Sequence, residues 1–215
     1  FVFADSSVVR HEEGTQPAGP QETWRRYSTE DGLMDHPLHL FATREGVVWA
    51  VGNHAGKAAV ARFQGGLWVL QVHPEGNWQP HRWQGLESSD GSLWLMARGY
   101  GGLLRYDGLD WILYPGPSVP DASGIAQTPD GTIWAGSWNG LFYLEGESWR
   151  HLEEPEELAG GISCLHVAGD SSLWVGTLGY GVLQYLDGKW TRHDVANGLA
   201  SNRVRALMKD DDGHL

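Results

Sequence analysis

Short runs of four to six apolar residues, each bounded by Gly, Asp or Asn, recur along this chain. In the stretch Gly161–His193 they read as four strands: Ile162–Val167, Leu173–Gly176, Val182–Leu186 and Lys189–His193. The connections are Gly169–Ser172, Thr177–Gly181 and the turn Asp187-Gly188, which suits hairpins. The same layout returns at His39–Thr43, Val47–Val51, Ala58–Phe63 and Leu67–Val72, then from Trp83, from Gly124, and in weaker form from Phe1. The second strand of each set is apolar on both faces, as in Val47-Val48-Trp49-Ala50-Val51 and Leu93-Trp94-Leu95-Met96. An antiparallel sheet buried on both faces needs a further sheet on each side. The fourth strand is mixed, as in Trp149-Arg150-His151-Leu152, which fits an outer edge facing water.

Two tryptophan columns mark the period. Trp49, Trp94, Trp134 and Trp174 follow one another at steps of 45, 40 and 40 residues, and Trp24, Trp68, Trp111, Trp149 and Trp190 at steps of 44, 43, 38 and 41. Self-similarity at this spacing means one supersecondary module in tandem. The fold class is therefore all-β, with a β-propeller of four-stranded antiparallel blades as the expected architecture and a β-solenoid as its rival. The array reads as one domain over residues 1–215, with blades near 1–27 (degenerate), 37–73, 81–114, 124–152 and 161–193, and a partial unit at 203–215. Phe1–Arg10 resembles Val167–Trp174, which places Val9 or Arg10 in the first tryptophan column, and His11–Glu22 makes a poor third strand. Asp212-Gly213-His214-Leu215 parallels the four residues before Trp94 and Trp134, so a fragment of a longer propeller is expected; closure into a five- or six-bladed ring is the alternative.

Composition narrows the function classes. Twelve tryptophans and 41% apolar residues supply a core. The net charge of -12 argues against a nucleic-acid partner and against adhesion to an anionic membrane. The apolar runs are too short to insert in a membrane as a helix. A single cysteine, Cys164, excludes an internal disulfide framework and a cysteine-based metal cluster. The ten histidines lack ligand spacing, so neither a metal nor a cofactor is expected. Asp210-Asp211-Asp212-Gly213 resembles part of a calcium loop but lacks the closing Glu and sits at a repeat turn.

The repeat also carries a family resemblance. Asp130-Gly131-Thr132-Ile133-Trp134-Ala135-Gly136, Leu104-Arg105-Tyr106-Asp107-Gly108-Leu109-Asp110-Trp111 and Asn197-Gly198-Leu199-Ala200-Ser201-Asn202-Arg203-Val204 together resemble the two-component regulator propeller repeat of bacterial sensor proteins. The resemblance covers Trp24 to Leu215, with departures at His36-Pro37 and around Val60–Trp83. It implies a non-enzymatic, ligand-sensing propeller lying outside the cytoplasmic membrane, in the periplasm or at the cell surface.

Ligands of such rings bind where loops from several blades converge. The loops between second and third strands carry His54, Arg98, Tyr100, Trp138, Asn139 and Tyr180, and the loops entering the blades add His36 and Asn202 on the same face. Aromatic faces stack on ring faces while Asn, Arg and His fix hydroxyls, so a carbohydrate or another small polar molecule is the expected ligand. The rival reading of Tyr100 and Tyr180 is packing against a neighbouring edge. Two other functions stay open. A propeller lyase or hydrolase would use His54 or a tyrosine as base, although no paired partner recurs at a matching loop. A docking platform would bind another protein on the same face.

Overall fold

The computed structural model describes residues 1–4, 7–13, 22–73, 85–97, 102–115 and 123–208. These form two compact units, Phe1–His81 and Arg82–Leu215.

The second unit holds three sheets, each an antiparallel meander of four strands. The first is β8 (Gly85–Glu87), β9 (Leu93–Ala97), β10 (Gly102–Tyr106) and β11 (Trp111–Pro115). The next is β12 (Gly124–Gln127), β13 (Ile133–Ser137), β14 (Gly140–Glu145) and β15 (Ser148–Leu152). The third is β16 (Ile162–Val167), β17 (Leu173–Thr177), β18 (Val182–Leu186) and β19 (Lys189–His193). Strand order follows chain order in every sheet, because each pair of neighbours is joined by a short hairpin.

The second strand is the buried one, as its two apolar faces require. All five residues of Ile133–Ser137 are buried. Trp134 packs with Leu165, Leu173, Val175 and Leu183 of the following sheet, and Trp94 packs with Ile125, Ile133 and Phe142 of the sheet after its own. Close approach between sheets needs glycine at one point. A Cβ on Gly136 would collide with Ile162, and one on Gly176 would lie 3.0 Å from Val204 Cγ1. Val204 thus stands against Gly176 as Ile162 stands against Gly136, and its N–H donates to Thr177 O at 2.9 Å. Arg203–Met208 forms no strand, and Val204 supplies its contact with β17. The remainder of the expected partial unit, from Lys209, lies outside the described residues.

The first unit holds two sheets. One is β4 (His36–Ala42), β5 (Val48–His54), β6 (Lys57–Gln64) and β7 (Leu67–His73) in chain order. The other has three strands, β1 (Val2–Ala4), β2 (Ser7–Glu13) and β3 (Glu22–Tyr27). Its register revises the expectation for the amino-terminal repeat. Val8 pairs with Tyr27 as Leu103 pairs with Tyr114 and Val182 with His193, so β2 is a third strand and β3 an outer strand. Arg10 lies over the Phe1 ring at 5.6 Å, as Arg105 lies over Trp94 at 5.6 Å and Arg62 over Trp49 at 5.9 Å. Phe1, rather than Val9 or Arg10, therefore takes the tryptophan column. A phenylalanine can fill that position because the column needs a flat ring, not an indole.

Candidate functional site

The last two blades of the second unit end their second strands with a hydroxyl, Ser137 or Thr177, that pins the following loop, whereas β9 ends in Ala97. Ser137 Oγ accepts the Asn139 N–H at 3.0 Å, and Thr177 Oγ1 accepts the Tyr180 N–H at 2.8 Å while donating to Gly181 O at 2.9 Å. These bonds bring the side chains of Trp138, Asn139 and Tyr180 to one end of the unit. The loop entering the last sheet runs between them. Gly161 lies against the Trp138 backbone and Leu178, and its carbonyl accepts the Leu178 N–H at 3.0 Å. Beside it Tyr180 covers Gly160 so closely that any Cβ there would strike the ring.

Trp138 and Tyr180 thus flank the Gly160–Gly161 loop as an aromatic platform, with charge beside Tyr180. Trp138 is 63% exposed and Tyr180 38% exposed, large values for such rings. Arg192 holds its guanidinium 5.7 Å from the Tyr180 ring centroid and pairs with Asp194 at 3.0 Å and Glu157 at 3.4 Å. The acidic stretch Glu153–Glu157 beside the platform thus supplies one paired carboxylate, Glu157. Arg192, Glu157 and Asp194 are functional candidates that the sequence does not single out, because they lie on an outer strand and in two different connecting loops. Their only sequence mark is a charged residue at the exit of a regular strand.

Asn202 reaches the same end. Its carbonyl accepts the Gly181 N–H at 2.8 Å, and its side-chain oxygen accepts the Val195 N–H at 3.0 Å. That side-chain oxygen is committed to holding the loop, which leaves the amide N–H groups for any ligand. The loop itself starts with reciprocal bonds between Asp194 and Asn197 and turns at Gly198, whose φ is 114°. Ser28 and Asp31 make the same box before Gly32 in the first unit.

The first unit carries His36 and His54. They approach from neighbouring strands, with His36 paired to Asn53 in the β4–β5 ladder. Asp35, which the sequence does not flag, organises them. Its carboxylate meets His36 Nδ1 at 3.1 Å and accepts the Ala55 N–H at 2.9 Å, capping the tight turn that follows His54. Desolvation works against ionising Asp35, but the Ala55 N–H, the His36 hydrogen bond and the nearby His54 and His36 outweigh it and hold the carboxyl below its ordinary range. His54 Nδ1 is buried without a hydrogen-bond partner. Arg98 and Tyr100 lie outside the described residues. Among the described residues no three His, Cys, Asp or Glu side chains are grouped to hold a metal ion, and no helix is long and apolar enough to cross a membrane.

Solved structures show what the architecture is. Virginiamycin B lyase from Staphylococcus aureus superposes with a TM-score of 0.62 at 18% identity, over 82% of this chain and 61% of the lyase. The extracellular domain assigned to the hybrid two component system BT3049 from B. thetaiotaomicron gives 0.61 at 17% identity, over 94% of this chain and 26% of its own. The fold is a β-propeller. YCF48 bound to D1 peptide gives 0.59 at 15% identity, over 82% of this chain and 60% of its own. This chain thus spans less than two thirds of each of these proteins, and at such identities the likeness is one of fold. No family model matches the sequence, and no curated protein matches it.

Proposed function

We propose that this propeller is a non-enzymatic sensor module, the extracytoplasmic part of a bacterial two-component-type regulator, and that it binds a carbohydrate or another small polar molecule on the Trp138–Tyr180 platform. The observation that carries the reading is the exposed Trp138 beside Tyr180, set against the Arg192–Glu157–Asp194 cluster. Exposed rings offer a stacking face to the apolar side of a sugar, while Asn139, Glu157 and Arg192 supply donors and acceptors for hydroxyls. The extracellular domain of BT3049 supports the setting by its fold and by the system to which it is assigned. The test is titration of the protein with a panel of mono- and oligosaccharides, beside the double variant Trp138→Ala/Tyr180→Ala. A bound sugar should lose at least tenfold in affinity, equal to about 1.4 kcal/mol, in that variant. Equal affinity in both proteins refutes the site.

Two other readings keep one observation each. The Asp35–His36 contact at 3.1 Å, with His54 beside it, supplies the carboxylate–imidazole grouping that a general base needs, and virginiamycin B lyase shares the fold. Incubation with virginiamycin B followed by mass spectrometry tests it: a turnover product that disappears in His54→Ala would favour the lyase. The exposed Trp138 also suits a peptide anchor, and YCF48 binds D1 peptide on this fold.

A further inference from the structure

The clefts between successive sheets of the second unit are built from equivalent positions, yet one is filled and the other is open. Between β12–β15 and β16–β19, Trp134 lies opposite Tyr143 in the ladder, and Tyr185 and Val167 of the next sheet close over it. The rings of Tyr143 and Tyr185 lie 5.6 and 6.3 Å from that of Trp134. Between β8–β11 and β12–β15 the same places hold different residues. Arg105 stands where Tyr143 does, as its pairing with Trp94 shows. Gln127, paired with Ile133, replaces Val167, which pairs with Leu173. Leu144, which pairs with Trp149, replaces Tyr185, which pairs with Trp190.

These three exchanges leave a cleft of about 270 Å³, lined by Trp94, Ile133, Leu144, Arg105, Asp90 and Gln127 among others. It lies at the hairpin-turn end of the sheets, away from the Trp138–Tyr180 platform. Its walls are apolar where Trp94 faces Ile133 and Leu144. One edge is polar: Arg105 pairs with Asp90 at 2.8 Å and donates from Nε to Ser92 Oγ at 3.1 Å. The Gln127 side chain clamps the other edge, accepting the Ser89 N–H at 2.6 Å and donating to Gly131 O at 3.2 Å. Two tyrosine rings of the filled cleft, Tyr143 and Tyr185, thus give way here to Arg105 and Leu144, while Tyr114, its ring 5.1 Å from that of Trp94, stands where Leu152 does, and a balanced ion pair lies at the mouth.

We propose that the cleft binds a free phenolic ring, slotted between Trp94 and Leu144 in the place that Tyr185 fills one blade later, with its hydroxyl donating to Asp90 and accepting from Arg105. The volume is ample for a substituted benzene, since a cavity of about 150 Å³ already admits benzene. The paired charges favour a neutral ligand, because Asp90 offsets the pull of Arg105 on an anion. A sugar fits the space less well, since its hydroxyls on the far side would face Ile133 and Leu144 without partners.

The probe is p-cresol, titrated by calorimetry and by saturation-transfer NMR, beside toluene and the variants Leu144→Tyr and Leu144→Phe. Saturable binding of p-cresol is expected, at least tenfold weaker in Leu144→Tyr, whose new ring occupies the cleft. Leu144→Phe serves if the tyrosine variant does not fold, and toluene should bind the parent protein at least tenfold more weakly than p-cresol. Trp138→Ala should bind p-cresol as the parent does, which separates this site from the sugar platform. Absence of p-cresol binding at millimolar concentration, undiminished binding in both Leu144 variants, or equal affinity for toluene overturns the proposal.

Discussion

The two ends of the blades in the second unit obey different rules. At the hairpin-turn end the repeat is written in hydrogen bonds. Ser88 N–H donates to Ser92 O and Gly91 N–H to Ser88 O; Thr128, Thr132 and Gly131 repeat the pattern, as do Ala168, Ser172 and Ser171. An aspartate in each turn, Asp90, Asp130 or Asp170, accepts from the hydroxyl and N–H groups around it. The turn hydroxyl then receives the indole N–H of the column tryptophan, Trp94 to Ser88 at 3.2 Å and Trp134 to Thr128 at 3.0 Å. Where Ala168 lacks a hydroxyl, Trp174 donates instead to Ser172 at 2.7 Å. At the other end a pinning hydroxyl stands in two of the three blades, Ser137 and Thr177, and the side chains beyond it differ from blade to blade. One end fixes each ring in the core by satisfying its polar edge. The other is free to carry a ligand surface.

This contrast sets the size of mutational effects. Trp134→Ala empties a fully packed position and should cost about 3–5 kcal/mol in urea unfolding. A cost below about 1 kcal/mol would mean that the column is not what joins the sheets. Thr128→Ala leaves the indole N–H of Trp134 buried without its acceptor, for an expected loss of about 1–3 kcal/mol. Ser172→Ala should act in the same direction in the last sheet but cost less, because Trp174 depends on that hydroxyl yet is only partly buried; equal stability to the parent protein would break the correspondence between the turns.

Acid should act through the same turns. Asp90 is held at about 2, below the ordinary 3.8, chiefly by the Ser88 hydroxyl, with the Ser92 N–H and hydroxyl and the Arg105 charge adding to it against partial burial. Folding lowers this pKa, so its stabilising contribution is complete above about pH 4 and is lost as pH falls towards 2. The expected signature is a fall in melting temperature across that window that is smaller in Asp90→Asn; an identical acid profile in the variant contradicts it. The carboxylate is half exposed, so solvent screening keeps the effect small. Smallest of all is the effect of Trp138→Ala on stability, within about 0.5 kcal/mol, since the ring stands in solvent. A large loss would turn Trp138 into a packing residue.

The same contrast explains what the sequence discloses. Leu173–Thr177, Val182–Leu186 and Lys189–His193 fall within a residue of where the sequence places them, because burial on both faces marks the first and the Asp187-Gly188 turn sets the limits of the other two. The column tryptophans are equally legible, and Trp49, Trp94 and Trp134 are buried. The amino-terminal sheet is less so, since Phe1 takes the column without a tryptophan and its register appears only in the pairing of Val8 with Tyr27. Loop partnerships have no period to betray them. Tyr180 resting on Gly160, Arg192 joining Glu157 and Asp35 capping Ala55 all connect residues whose spacing nothing in the repeat fixes. The open cleft is intermediate: Leu144 breaks a column that is aromatic at Phe63, Tyr106 and Tyr185, but only the ladder shows that it meets Arg105 and Gln127.

On the proposed reading, the irregular end is where this propeller meets a saccharide. The most direct measurement is a titration followed through the indole N–H resonance of Trp138, assigned by comparison with Trp138→Phe, against the saccharide panel. A bound saccharide should shift that resonance in a saturable way while those of Trp94 and Trp134 stay fixed. Saturable binding that moves the column tryptophans and leaves Trp138 unchanged would contradict the account.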